Sequence, residues 1–315
     1  MNVICSHTKP LDLENGIIFG ILLCIATCAA TFCNILVLTI FIKMWKKSAS
    51  NHILLSLAIA DVLVSVILGP ITVLQLFDVE ISKECTANFI RGYFLIFLVG
   101  SSLLTLALVS YDRYLLLTKL SNYNKYMTIN KAIFLIVFSW VFPGLIPITK
   151  RIYVFYSILC IIMYTFPLIA LVTFYLLITR EVRKREKDLF FKKYNSSKKY
   201  CPAELNIHSD AEGVRHPNAE SFRKHFTHLK LAKSITVLIA CYFACIFPLN
   251  IWMFLELVKV EYSKYSSNIF YLCSLLLMQV NSCINPVIYF SKQKEFKKKF
   301  KNIFKRRTSA TPPLD

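Results

Sequence analysis

Charge is scarce in this chain. Of its 315 residues only 17% are Asp, Glu, Lys or Arg, while 56% are hydrophobic and mean hydropathy is positive. A soluble domain carries about a quarter charged residues, so this composition excludes one. The alternation of apolar and polar positions that marks a membrane β-barrel is absent. No His-Glu-x-x-His, no Gly-x-Ser-x-Gly and no pair of carboxylates inside an apolar run occurs, which argues against a membrane enzyme. No internal repeat of the transporter kind is present. The amino terminus has no basic n-region beyond Lys9, and its first apolar run is too long for a cleaved signal peptide. It reads as a first span inserted directly, after a short polar tail with no Asn-x-Ser/Thr acceptor.

Long uncharged runs take the place of what is missing. A helix needs roughly 20 apolar residues to cross a bilayer. Seven runs reach or approach that length: 17–42, 53–76, 89–117, 132–148, 152–178, 231–258 and 269–290, the fourth being the shortest. The fold class is therefore an all-α membrane protein, a seven-transmembrane helix bundle. Residues 16–304 form the bundle domain, 1–15 an extracellular tail and 305–315 a cytoplasmic tail. Beyond the seventh run, Phe296, Phe300, Ile303 and Phe304 recur at helical spacing among lysines, the pattern of a short amphipathic eighth helix on the inner leaflet.

Lys and Arg set the orientation. Of 37, only Lys9, Lys83, Arg91, Lys150, Arg151, Lys259 and Lys264 fall on the side of the amino terminus. The positive-inside rule then puts the amino terminus outside and the tail in the cytoplasm, as expected of a multi-pass plasma-membrane protein. The connection 180–230 is long and charged; its ends read as helical extensions and its middle as disordered. The net charge of +19 reflects topology and anionic lipid head groups, so no nucleic-acid partner is expected. Cysteines within the spans act as small hydrophobes. Cys5 and Cys85 lie outside and are free to oxidise.

A few polar groups stand inside the runs. Asn34 in the first calls for a bond to a neighbouring helix. Asp61 lies about eight residues in from the cytoplasmic end of the second, roughly 12 Å deep. That is too deep to snorkel, and an intramembrane carboxylate marks function by default. Ser101, Ser102 and Thr105 lead along the third run to Asp112-Arg113-Tyr114 at its inner border.

Taken together, Asn34, the Leu-Ala-x-Ala-Asp ending at Asp61, Asp112-Arg113-Tyr114, Trp140, Pro167 with Tyr175, Cys245 with Pro248, and Asn285-Pro286-x-x-Tyr289 resemble the rhodopsin-like G-protein-coupled receptors. The match takes one set per span and covers about 16–304. Tyr114-Leu115, Tyr123, Thr128, Ala232-Lys233-Ser234, Asn281-Ser282 and Glu295-Phe296 look most like the adenosine-receptor neighbourhood, with the melanocortin and cannabinoid receptors as cousins. Departures are also clear. Ile246 replaces the family's usual tryptophan in the sixth helix, and Tyr242 the phenylalanine one turn below. Met253, Asn250, Gln279 and Leu23 replace residues with which adenosine receptors hold their ligand. Leu95 stands where amine receptors keep an aspartate. Trp140 and Pro167 are so close that the second extracellular loop and its cysteine are nearly absent, so the family's usual disulfide is not expected; Cys85 with Cys5 is the substitute.

The resemblance implies a signalling receptor that passes an extracellular small-molecule signal, lipid-like or adenosine-related, to a heterotrimeric G protein, with membrane lipid around it. No cofactor is required. Na+ is expected as an allosteric ion at Asp61, Ser102, Asn281 and Asn285, favouring the resting state. Arg113 is the output residue, paired at rest with Asp112 and turned in the active state toward Tyr175 and Tyr289. Asp112, Arg113, Tyr114, Tyr175, Asn285, Pro286 and Tyr289 form the coupling switch. At the foot of the sixth helix His228 replaces an acid that restrains the arginine in many relatives, so basal activity is expected to be raised and His228→Glu to lower it. The ligand pocket is expected along Leu95, Ile96, Val99, Leu159, Met163, Leu249, Asn250, Met253, Tyr271, Leu275 and Gln279. With no arginine or lysine turned inward it suits a lipid or weakly polar agonist. A receptor-like protein with constitutive or no G-protein coupling, and a transporter, are the competing readings.

Overall fold

The computed structural model describes residues 13–43, 48–77, 85–119, 122–199, 240–241, 243–252, 254–255, 258 and 264–292. Every element among them is helical. Among the described residues seven helices are longer than one turn: α1 (Leu13–Lys43), α2 (Ala49–Phe77), α3 (Cys85–Thr118), α4 (Ile129–Leu145), α5 (Tyr153–Lys199), α6 (Phe243–Trp252) and α7 (Lys264–Lys292). Among the described residues, five helices are long and apolar enough to cross a membrane, α4 being extended through Arg151 by a 3-10 turn; α6 and α7 contribute shorter apolar stretches. The amphipathic eighth helix, residues 1–12 of the amino-terminal tail, the carboxyl-terminal tail, His228 and the middle of the 180–230 connection fall outside the described residues; residues 13–15, expected in the tail, open α1.

Packing follows from a solvent that is apolar. Lipid competes poorly for hydrogen bonds, so polar side chains turn inward and large apolar ones outward. Phe134, Phe138 and Val141 of α4 and Phe166 and Ile169 of α5 point away from the bundle. Asn34, Asp61, Ser102, Thr105, Gln279, Asn281 and Ser282 are buried within it. Asn34 donates from Nδ2 to the Ser282 carbonyl at 3.0 Å, tying α1 to α7 as its isolation in an apolar run predicts. Trp140 donates from Nε1 to Ser56 Oγ at 2.9 Å, tying α4 to α2. Thr105 and Ser139 hydroxyls meet at 3.2 Å between α3 and α4.

Where chain leaves the apolar layer, ordinary caps appear. The Ser48 hydroxyl accepts from the Asn51 amide at 3.3 Å, and the Thr128 hydroxyl from the Lys131 amide at 3.2 Å. Each satisfies one of the orphan donors of a first helical turn. Between α4 and α5 the 3-10 turn Ile146–Arg151 leaves only Ile152 as linker. The connection between α4 and α5 is thus nearly absent, as the sequence indicated. Cys85 is disulfide-bonded, with a partner outside the described residues; Cys160 and Cys273 are free thiols.

Two π-helical turns interrupt the α-helical spacing, Val64–Leu68 in α2 and Leu95–Val99 in α3. Each ends at a glycine. The Gly69 amide bonds back to Val64, five residues earlier. Pro70 follows it and has no amide hydrogen, so the helical ladder is broken at this point by chemistry. Single π turns of this kind concentrate at functional sites.

Candidate functional site

The inner end of α3 carries the first cluster. Asp112 and Arg113 are 1% and 6% exposed, so both charges are buried. Arg113 Nε lies 3.6 Å from Asp112 Oδ2, close enough for Coulomb attraction but without a hydrogen bond. The hydrogen bonds to Asp112 come from elsewhere. Ser50 Oγ, in the first turn of α2, donates to Asp112 Oδ2 at 2.9 Å. The Tyr123 hydroxyl donates to Asp112 Oδ1. Tyr123 opens a single helical turn, Tyr123–Tyr126, which is pinned by the buried Met127 just beyond it. Burial, and next the Asp112 carboxylate, hold the Tyr123 hydroxyl above the usual tyrosine range, while Arg113 pulls the other way. Tyr123 therefore keeps its proton and remains a donor. Sequence reasoning found the Asp112–Arg113 pair but missed Ser50 and the part played by Tyr123.

Tyr114 and Tyr175 lie nearby. Tyr114 packs its ring on Phe174 at 6.0 Å between centroids, and Tyr111 meets the same ring at 5.5 Å. Tyr175, next along α5, is half-buried against the core. Asn285, Pro286 and Tyr289 are on α7; their side chains lie outside the described residues.

The second cluster is midway along α2 and α3. Asp61 is 3% exposed, and Ser102 Oγ donates to its Oδ1 at 3.4 Å. Asn281 and Ser282 are buried on α7, and Asn281 Oδ1 has no hydrogen-bond partner. No group of three or more His, Cys, Asp or Glu gathers among the described residues, so a transition metal has no site there. A hard monovalent cation is a different matter. It prefers oxygen, and the Asp61 carboxylate with the Ser102 hydroxyl beside it offers oxygen donors.

The outer half of the bundle forms the third. Leu95, Val99, Met163, Leu249, Asn250, Tyr271 and Gln279 are all buried, as expected for pocket or core; Met253 is outside the described residues. Tyr271 packs against Trp252 with the rings tilted by 35° and centroids 4.2 Å apart. Both amide atoms of Asn250 and Oε1 of Gln279 lack hydrogen-bond partners. Gln279 turns toward Gly69 and Thr27, so it forms a floor between α1, α2 and α7. One expectation fails here. Arg91 does turn inward, with its guanidinium carbon 5.6 Å from the centre of the buried Tyr271 ring.

The sequence pattern of the 7 transmembrane receptor (rhodopsin family) matches residues 33–154 and 145–289. The chain belongs to this family. The receptor is 22% identical to an alpha-1A adrenergic receptor from Oryzias latipes, over 95% of this chain and 69% of that one. It is 22% identical to the cholecystokinin receptor type A of Cavia porcellus, over 86% and 76%. A stretch of 69 residues, 22% of each chain, is 39% identical to a Mas-related G-protein coupled receptor member A from Rattus norvegicus. Neither the family match nor these relatives single out the adenosine receptors. The receptor is a signalling protein and not an enzyme.

Proposed function

We propose that the receptor sits in the plasma membrane with its amino terminus outside and passes an extracellular small-molecule signal to a heterotrimeric G protein. The observation that carries this reading is the buried Asp112–Arg113 pair, 3.6 Å apart and not hydrogen-bonded to each other. A buried charge without a hydrogen bond at Nε costs free energy. That cost is relieved when Arg113 is released toward the cytoplasm and meets an acceptor on a partner. The resting arrangement is thus a restrained one, and an agonist need only bind the released arrangement better than the restrained one. The buried outer residues are mainly apolar with a few amide groups, which suits a small molecule. Leu95 offers no charge to a cationic amine.

The test is G-protein nucleotide exchange in membranes expressing the receptor. Wild type is expected to raise exchange above membranes without receptor, and Arg113→Ala at equal surface density to bring it back to that background. Exchange unaffected by Arg113→Ala removes the reading.

Sodium binding at Asp61, Ser102 and Asn281 is part of the same proposal. The ion supplies positive charge to a buried carboxylate and gives the spare Asn281 oxygen a partner, which stabilises the resting packing of α2, α3 and α7. Replacing sodium by a bulky organic cation is expected to raise basal exchange severalfold in wild type and to leave Asp61→Asn unmoved. Equal responses in the two would refute sodium regulation.

A further inference from the structure

We propose that Cys85 is joined to Cys5, and that this bond fastens the amino-terminal tail to the outer turns of α3, where packing holds the helix weakly. The pairing requires one part of the receptor reading, an amino terminus on the oxidising side of the membrane.

The partner follows by elimination. The chain has eleven cysteines. Cys85 is disulfide-bonded, and eight others are free thiols. Cys5 and Cys201 are left. α3 and α5 run side by side in one direction. At the outer end Lys150 Nζ, three residues before α5, lies 5.6 Å from the centre of the Phe89 ring on α3. Further in, Tyr111 and Tyr114 of α3 meet Phe174 of α5. Cys85 opens α3 and stands roughly 44 Å outward of Tyr114. α5 continues to Lys199, roughly 38 Å inward of Phe174. Cys201 follows two residues later, at most about 7 Å of chain. A disulfide holds its Cα atoms within about 7 Å of each other, so Cys201 is excluded by tens of ångströms.

Cys5 is within reach. It precedes Leu13, the start of α1, by eight residues, at most about 28 Å of extended chain. Cys85 follows Phe77, the end of α2, by the same interval. Those two helix ends are neighbours, since a methyl group added at Gly20 of α1 would lie 2.7 Å from the Phe77 ring.

The outer turns of α3 have need of such a tie. Cys85–Phe94 contains no buried residue, whereas Leu95–Val99 directly below it contributes four. Two cation–π contacts reach the segment from other elements, Lys150 on Phe89 and Arg91 on Tyr271 of α7. Such contacts are weak at exposed positions. The connection between α4 and α5 is Ile152 alone and supplies no cysteine. On closure the two thiols lose two protons and two electrons as the Sγ–Sγ bond forms. A disulfide-carrying oxidoreductase of the secretory compartment takes them up and becomes a dithiol. A dithiol added outside reverses the exchange, is itself oxidised, and frees the segment.

The experiment uses full-length receptor from cells alkylated before lysis. In a non-reduced digest of wild type and of Cys201→Ser, the Cys85 peptide is expected joined to the Cys5 peptide. In Cys5→Ser it is expected alone and alkylated. Amide hydrogen exchange in nanodiscs is expected to quicken at least about tenfold over residues 86–94 in Cys5→Ser and Cys85→Ser, and no further in the double variant. Residues 100–118 are expected to exchange as in wild type. Dithiothreitol is expected to reproduce the change in wild type and to leave Cys5→Ser unmoved. Cys85 alkylated without reduction, Cys85 joined to Cys201 or to a second copy, or exchange over 86–94 indifferent to the bond overturns the inference. Dithiothreitol-treated wild type carries the test where a cysteine variant fails to fold. An antibody to an amino-terminal epitope on intact cells reports the side of the membrane separately, so failure of that reading is distinguishable from failure of the pairing.

Discussion

Ser50→Ala combined with Tyr123→Phe is expected to raise agonist-independent nucleotide exchange about tenfold or more, up to the ceiling set by full activation. These are the two hydrogen bonds that Asp112 accepts from side chains of other elements, α2 and the turn after α3. Hydrogen bonds to a charged group contribute about 1.5–3 kcal/mol each. Without them Asp112 is no longer held at a fixed place beside Arg113, and its carboxylate must seek water. The resting state loses both bonds. An active state in which Asp112 has already left them loses little, so the equilibrium moves by most of that difference. Each single substitution is expected to give a smaller rise, and Tyr123→Phe isolates one hydroxyl without disturbing the ring. The measurement is exchange without agonist at matched surface density. A double variant no more active than wild type would mean that Asp112 is held by Arg113 alone.

The second large effect is on stability. A methyl group added at Gly69 would lie 2.5 Å from Thr27 Cγ2, 2.8 Å from Thr27 Oγ1 and 2.8 Å from Gln279 Nε2. Thr27 is β-branched and stiff at χ1, so it gives way only if α1 moves. Overpacking of this kind costs typically about 1–3 kcal/mol. Gly69→Ala is therefore expected to lower Tm by several degrees. Adding Thr27→Ala removes both nearer atoms and is expected to recover most of the loss, since Gln279 can swing its amide aside. Thermal unfolding of the two single variants and the double settles this. A double variant as unstable as the sum of the singles would show that α1 does not limit the site.

Much of this architecture is legible in the sequence because lipid leaves few choices. Seven apolar runs give seven helices, and the scarcity of polar groups inside them makes each one conspicuous. Asn34 had to bond a neighbour, and it bonds the Ser282 carbonyl. Asp61 was too deep for water, and Ser102 is at its side. The short interval between Trp140 and Pro167 implied a missing loop, and Ile152 alone joins the two helical stretches. The same apolar surroundings hide the rest. A helix in lipid is apolar on its outer face and largely apolar on its inner one, so periodicity does not tell which residues turn inward. Arg91 was assigned to the outer border by its charge alone, without its ring partner on α7. Ser50 and Asp112 are 62 residues apart, and nothing local links a serine near a helix start to a carboxylate on another helix. The π turns leave no residue pattern except a following glycine, with proline next to it in one of the two.

Helix α5 runs without a break from Tyr153 to Lys199, 47 residues. At 1.5 Å per residue that is about 70 Å, more than twice the thickness of a hydrocarbon layer. Roughly half of it therefore stands beyond the hydrocarbon layer as a stiff rod, stitched by Arg185 on Glu181 at 2.9 Å. A tilt of about 5° at Pro167 would sweep the far tip through about 4 Å, given roughly 48 Å of helix between them. A displacement too small to repack the membrane core is in this way enlarged to the size of an amino-acid side chain, well outside the lipid.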